Sequence, residues 1–463
     1  MTVRLVYEEG TIRITGSDAL DDLPAVERDG RSKTRRAPAH RYVDLLAALD
    51  ERGVDYDDRV FDLPDLDLDS TYELREYQRD ALDDWEGADR RGVLASDASE
   101  GSRRLGRRGV LELPTGSGKT VIGIAAMEAL DTPTLVVVPT IDLLEQWRRE
   151  LEREFDREVG QLGGGEQRIA DVTVSTYDSA YLRADELGDR FGLVVFDEVH
   201  HLGGEGYREI ARLLAAPARL GLTATFERQD GAHEVVEELV GPLVHRVAVD
   251  DLAGDHLAEY DIKRVEVTLT DAERETYERH QETFTDYLAS SGIQMHSGSD
   301  YQELVKRSGT DPRAREALLA KQRAREVMMN ADRKVERLEA ILDRHRDDRV
   351  IVFTAHTDLV YRLSERFLIP AITHETGASE RRRILERFRS GEYSRVVTAN
   401  VLDEGVDVPD ANVAVVLSGS GSEREFTQRL GRVLRPKADG GRALLYEIVS
   451  EETAEERVAR RRR

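Results

Sequence analysis

The sequence predicts an α/β protein of two tandem lobes, each a parallel sheet covered by helices, with a small α+β module in front and a helical insertion between the lobes. Three observations lead there. From Tyr72, near-continuous apolar runs alternate with helical patterns: GVLEL, TLVVVP, DVTVST, LVVFDE and RLGLTAT. Such runs suit strands buried on both faces of a sheet. A second series, VIVFTA, SRVVTAN, NVAVVLS and RALLYEIV, begins near Arg349. Finally, 463 residues exceed what one hydrophobic core serves, so two large domains with smaller attachments are expected.

Val3 to Tyr7 and Thr11 to Thr15 alternate in polarity and are joined by Glu9 and Gly10, a hairpin pattern. A helix is expected from about Arg41 to Asp50. Between them, DGRSKTRRAPAHR is a basic, Pro-containing loop that reads equally as a solvated linker or a DNA contact. Arg90 to Arg108 lacks periodicity, is rich in Ser, Gly and Arg, and is expected to be mostly a mobile surface loop. Thr270 to about Leu342 is strongly helical and opens with a capping box, Thr270 followed three residues later by Glu273. Inside it, Lys306 to Lys334 carries a local basic excess, either a solvated helix face or a nucleic-acid grip. The division expected is residues 1–70, 71–248, 249–342 and 343–463.

No apolar run approaches the roughly 20 residues of a membrane span, and MTVRLVYEEG lacks a signal-peptide core, so a cytoplasmic protein with no membrane partner is expected. There is no cysteine, which excludes disulfides and thiolate metal sites, and the 11 histidines show no zinc-like pairing. Acidic residues number 92 against 67 basic ones, for a net charge of −25. Taken alone, that argues against nucleic acid. Yet the basic side is nearly all arginine, and an acidic, Lys-poor chain resembles proteins of salt-loving organisms such as haloarchaea, where a Debye length of about 3 Å at 1 M salt screens self-repulsion. An ordinary acidic enzyme is the other reading.

PTGSGKT, Pro114 to Thr120, lies between an apolar strand and the apolar helix VIGIAAMEAL. That arrangement cradles phosphate on backbone N–H groups and a helix N-terminus, drawing on Thr115, Gly116, Ser117, Gly118, Lys119 and Thr120. Lys119 would reach the β- and γ-phosphates of ATP, and Thr120 would hold Mg²⁺. The strict pattern wants glycine six positions before the lysine, where this chain has Leu113. In LVVFDEVHH, Asp197 and Glu198 follow four apolar residues, where a buried parallel strand ends and open α/β sheets bind ligands. Asp197 is the expected Mg²⁺ partner; Glu198 would orient or deprotonate the attacking water. In QRLGRVLR, Gln428 and Arg429 precede Arg432 and Arg435, which lie three apart and share a helix face as charge-stabilising arginine fingers would. A second-lobe arginine facing a first-lobe γ-phosphate would make closure depend on ATP.

With LREYQRDAL, PTGSGKT, VVPTIDLLEQW, VSTYDSA, DEVH, LTAT, VFTAHTD, TANVLDEGVDVP and QRLGRVLR in this order, the chain resembles superfamily-two helicases of the DEAD/DEAH-box-like kind over about residues 72 to 447. The resemblance implies tandem RecA-like lobes. It implies that Gln78 reads adenine, that Asp407 approaches the nucleotide, and that Thr223 and Thr225 link hydrolysis to strand movement. Pro139, Thr140, Ser175, Thr176, His356 and Thr398 would lie along a nucleic-acid track that contacts phosphate and sugar. The small domain before LREYQ, FERQDG after LTAT and a thumb-like helical insertion are similar to the XPB branch, especially its archaeal members. That branch implies 3′-to-5′ movement on DNA, single-stranded and at duplex junctions, opening of duplex in excision repair, a damage-recognition module at residues 1–70 and a repair nuclease as partner. The branch has Arg-Glu-Asp as a strand-separating wedge, where this chain has Arg228, Gln229 and Asp230. Three other readings stay open: the motor subunit of a restriction system, weakened because no nuclease cluster follows residue 450; an ATP-gated DNA clamp that does not unwind; and an RNA helicase, against which FERQDG and the thumb argue.

Overall fold

The computed structural model describes residues 3–16, 23, 25–30, 34–87, 106–114, 116–204, 206–227, 231–247, 260–293, 298–399, 411–417, 443–451 and 453. They fall into two compact units, one made of the described residues up to 247, the other of those from 260 onward. The expected loop lies almost wholly at residues 88–105, outside the described residues.

The first unit opens with a five-stranded sheet in the order β3-β4-β2-β1-β5, made of β1 (Val3–Glu8), β2 (Thr11–Thr15), β3 (Glu27–Arg28), β4 (Arg35–Pro38) and β5 (Tyr56–Asp58), with helix α1 (Tyr42–Glu51) across it. The hairpin forms where predicted, because Glu9 and Gly10 both take positive φ, 47° and 77°, which matches the twist of the strands. The basic stretch is a correction. Arg35–Pro38 pairs with β2, Arg35 is buried, and Arg36 bonds Glu8 and Asp29, so these arginines serve the sheet rather than a linker. Its proline, placed at the strand's last position, had masked the strand signal.

After α2 (Glu76–Gly87), the same unit builds an eight-stranded sheet ordered β13-β6-β12-β11-β7-β10-β8-β9. Its strands are β6 (Arg108–Glu112), β7 (Thr134–Val138), β8 (Gly160–Gly163), β9 (Glu166–Arg168), β10 (Val172–Thr176), β11 (Leu193–Asp197), β12 (Ala218–Thr223) and β13 (Leu243–Arg246). Helices α3 (Lys119–Leu130), α4 (Ile141–Phe155), α5 (Tyr177–Leu182), α6 (Arg208–Leu213) and α7 (Ala232–Leu239) connect them. All pairs are parallel except the β8–β9 hairpin. Side chains of β6, β7, β10, β11 and β12 are buried on both faces, as their uninterrupted apolar sequences require.

The small module is seated on this lobe. Tyr7 Oη donates to the Leu213 carbonyl at 3.0 Å and accepts the Gly10 N–H. Buried Arg108 donates to the carbonyls of Pro217 in the lobe and His40 in the module, both at 3.1 Å.

The second unit holds a parallel six-stranded sheet ordered β14-β19-β18-β15-β17-β16: β14 (Tyr260–Val267), β15 (Val350–Thr354), β16 (Ala371–Ile372), β17 (Arg395–Ala399), β18 (Val413–Val416) and β19 (Ala443–Ser450). Its helices are α8 (Asp271–Ser291), α9 (Gly298–Ser308), α10 (Pro312–Met329), α11 (Asp332–Arg344), α12 (Thr357–Phe367) and α13 (Ala378–Arg389). The capping box is present: Thr270 Oγ1 accepts the Glu273 N–H, and the Glu273 carboxylate accepts the Thr270 N–H. Two boundaries move from their expected places. Residues 260–267 form an edge strand of this sheet instead of linker, and α11 joins the sheet's core through Val335, Leu338, Ile341 and Leu342 instead of the insertion. An edge strand pairs on one side only, so YDIKRVEV is too polar to announce itself. No helix among the described residues is long and apolar enough to cross a membrane.

His40 makes the module's seating sensitive to acid. Burial first, then the charges of Arg219, Arg41 and Arg108, push its imidazole down to about 4, against an ordinary value near 6.5. Neutral His40 therefore contributes stability that is intact above pH 6.5 and lost as pH falls towards 4. The drop in thermal midpoint between pH 7 and pH 5 is expected to be smaller in His40→Gln than in the unaltered chain. Equal drops would show that His40 has no part in it.

Candidate active site

Parallel pairing puts the C-terminal ends of β6, β12, β11, β7 and β10 on one edge of the eight-stranded sheet, and Lys119, Thr120, Pro139, Thr140, Thr176, Asp197 and Glu198 follow or end those strands there. The turn after β6 carries Gly116 and Gly118 at φ 81° and 80°, left-handed values that a side chain resists. A Cβ on Gly118 would lie 2.5 Å from Gln78 Nε2. Gln78, buried on α2, donates to the Ser117 carbonyl at 2.7 Å and accepts the Arg75 N–H, while Tyr77 Oη also donates to Ser117 O. Ser117 Oγ is buried without a hydrogen-bond partner. Thr115 lies outside the described residues.

Lys119 and Thr120 open α3, whose cap is the left-handed Gly118. Lys119 Nζ is 3.3 Å from the Leu113 carbonyl and 3.9 Å from Glu198 Oε1. Asp197 ends β11 with both carboxylate oxygens engaged: Oδ1 accepts the Glu198 N–H at 3.0 Å, and Oδ2 accepts Trp147 Nε1–H at 2.8 Å. Burial raises the Asp197 carboxyl above the ordinary range, and the Glu198 charge adds to that. Lys119 and the Trp147 hydrogen bond oppose them.

Glu198 takes φ 48°, which costs a non-glycine residue about 1–3 kcal/mol. From there its carboxylate lies 3.6 Å from His200 Nδ1. That same nitrogen is 3.2 Å from Thr223 Oγ1, and Thr223 in turn bonds the Thr225 carbonyl and N–H at 2.9 and 3.1 Å. A continuous polar path thus runs from Glu198 to the segment after β12.

Of the residues expected along a nucleic-acid track, Pro139 and Thr140 follow β7 on this edge, and Thr140 Oγ1 caps α4 through the Leu143 N–H. Thr176 likewise caps α5 through the Ser179 N–H. Ser175 is a correction: it is fully buried and donates to the Thr176 carbonyl, behind the surface rather than on it. In the second unit, Thr398 is also fully buried, and half-buried His356 sits 3.2 Å from Met329 Sδ with its imidazole pushed down by burial. Strand residues on a sheet covered on both faces have no solvent side, which the motif spelling could not convey. Arg228, Gln229, Asp230, Asp407, Gln428, Arg432 and Arg435 lie outside the described residues.

Trp147 is the contact that reading the motifs missed. Its only signal was a tryptophan on the apolar face of α4, whose indole N–H must find a partner when buried.

Three families match. Residues 5–60 match the xeroderma pigmentosum group B helicase damage recognition domain, residues 71–228 the type III restriction enzyme res subunit, and residues 314–463 the ERCC3/RAD25/XPB C-terminal helicase. The "DNA 3'-5' translocase XPB2" of Sulfurisphaera tokodaii is 43% identical over 462 residues, 100% of both chains. The "DNA 3'-5' helicase XPB" of Mycobacterium tuberculosis is 32% identical, covering 84% of this chain and 63% of its own length. The Hef helicase domain of Pyrococcus furiosus has the same fold at a TM-score of 0.50 and 20% identity, over 78% of this chain and 96% of its own. The chain belongs to the XPB family of superfamily-two helicases.

Proposed function

We propose that the chain hydrolyses ATP to move 3′ to 5′ on DNA, engaging single strands and duplex junctions and opening duplex in repair. The observation that carries this is the convergence of Lys119, Asp197 and Glu198 on one sheet edge, joined through His200 to Thr223 and Thr225. The residues present fit a magnesium nucleotide. Left-handed glycines open the phosphate turn, the Ser117 hydroxyl is buried and unsatisfied, and a buried carboxylate stands near Lys119. Thr120 and Asp197 would hold Mg²⁺, which when bound would supply positive charge to offset that of the phosphates.

The chain's own groups do the rest. Lys119, now beside Glu198, would turn to the β- and γ-phosphates, while Gln78 would read adenine beside the turn it already braces. Glu198 would hold the attacking water in line, its strained backbone setting the direction. Its path through His200 to Thr223 and Thr225 supports a readout of the γ-phosphate by the segment that leads to Arg228, Gln229 and Asp230. From the second lobe, Arg432 and Arg435 would supply positive charge to the transferring phosphoryl group, Gln428 would add a neutral hydrogen-bonding amide and Asp407 would approach the nucleotide, so that ATP favours closure and hydrolysis releases it.

Pro139, Thr140, Thr176 and His356 remain the track candidates. Residues 1–70 would recognise damage, and residues from about 270 to 330 would act as the thumb. A nuclease partner and a cytoplasmic setting complete the proposal. The restriction-enzyme match covers the first lobe alone, whereas XPB-specific families match at both ends, which favours repair.

Glu198→Gln should lower hydrolysis by roughly 10²–10⁴-fold while leaving ATP affinity in place. Phosphate release in molar KCl, with no nucleic acid, single-stranded DNA, duplex DNA or RNA, tests both parts: an unimpaired mutant removes Glu198 from the chemistry, and equal rates under all four conditions remove the motor. Strand displacement separates unwinding from clamping, with Gln229 the residue in question. Lowering KCl should cost folding or solubility if the acidic surface is an adaptation to salt, and stability at low salt would refute that adaptation.

A further inference from the structure

We propose that Trp147 is a positioning residue that orients the Asp197 carboxylate and makes it respond to α4, the helix that Thr140 caps and Pro139 leads into. This rests on the reading of Asp197 as the Mg²⁺ partner and of the start of α4 as part of the nucleic-acid face.

A buried tryptophan usually satisfies its N–H on whatever carbonyl is near. Trp85 does so, donating to the Arg219 carbonyl at 3.1 Å. Trp147, equally buried, instead donates to a carboxylate oxygen of the site. With the Glu198 N–H on Oδ1 and the indole N–H on Oδ2, the plane of the carboxylate is held from both sides, so its remaining lone pairs keep fixed directions. Both donors are neutral. An arginine in the same place would cancel the negative charge a cation needs, whereas an indole fixes the oxygen and leaves the charge available.

The indole also reaches a third element. A Cβ on Gly123 of α3 would lie 2.6 Å from Trp147 Cη2, so only glycine lets the ring lie against the helix that leaves the phosphate turn. Trp147 shares the buried face of α4 with Leu143, Leu144 and Leu151, and the helix is capped by Thr140. It stands seven residues from that cap, roughly 10 Å along a rigid helix at about 1.5 Å per residue. Force on Thr140 therefore arrives at the donor of Asp197 Oδ2 without passing through a flexible segment.

Trp147→Phe keeps a ring and removes the donor. Calorimetric titration of ADP at stepped Mg²⁺ concentrations reads the site without turnover. The gain in ADP affinity on adding Mg²⁺ should fall by about tenfold or more, the worth of a charge-assisted hydrogen bond, while binding in EDTA stays unchanged. Saturating single-stranded DNA should shift the Mg²⁺ half-saturation of the unaltered chain and leave that of Trp147→Phe in place. Asp197→Asn is the control. If it keeps the Mg²⁺ gain, the Asp197 reading fails. If it loses the gain while Trp147→Phe retains it, or if DNA shifts neither chain, only the present proposal is overturned. Equal loss of binding with and without Mg²⁺ in Trp147→Phe would mark a packing role and overturn it as well.

Discussion

Parallel strand pairing in the first lobe is the constraint on which the rest depends. Because β6, β12, β11, β7 and β10 run the same way, whatever follows each strand emerges on one edge, and residues as distant as Lys119 and Glu198 come within 3.9 Å. The registers hold these ends level: Asp197 pairs with Leu222, Thr223 with Glu112 and Thr176 with Val138. A slip of one residue would turn Asp197 to the other face and away from Trp147. The apolar core beneath, from Leu111 through Val136 and Val195 to Leu222, sets that register.

Such an edge is expensive to build. A desolvated carboxylate beside a second one, a glutamate at positive φ and an unpartnered buried hydroxyl all oppose stability. They persist because the surrounding sheet and helices over-determine them. The second unit has an edge of different character. There, fully buried Lys334 of α11 donates to the Leu417 carbonyl just past β18 at 2.6 Å, and Ser450 Oγ bonds the Met328 carbonyl, tying the end of the helical insertion to the sheet.

Charge has a different logic at each scale. Over the whole chain it is strongly negative, which affects solubility and self-repulsion rather than fold. Locally, arginines do structural work that net charge hides. Arg108 and Arg219 are buried and spend their donors on backbone carbonyls, and Arg36 is held by two carboxylates, so the cations left for a polyanion are fewer than composition implies.

What the sequence determined by itself was periodic and local: the buried strands from GVLEL to RALLYEIV, the hairpin at Glu9 and Gly10, the capping box at Thr270, and the glycine-bearing turn before Lys119 with its following helix. Each is written in neighbouring residues, because burial on both faces demands an unbroken apolar run and left-handed turns demand particular residues. The tertiary structure alone decided how polar elements were used. It made YDIKRVEV an edge strand, drew Arg35–Pro38 into the module's sheet, assigned α11 to the second core and buried Ser175 and Thr398. It also chose Asp197, 50 residues away, as the acceptor for Trp147. Helical periodicity can place an indole on an apolar face; which carboxylate waits opposite depends on the order in which strands join the sheet, and that order is not spelled in any one segment.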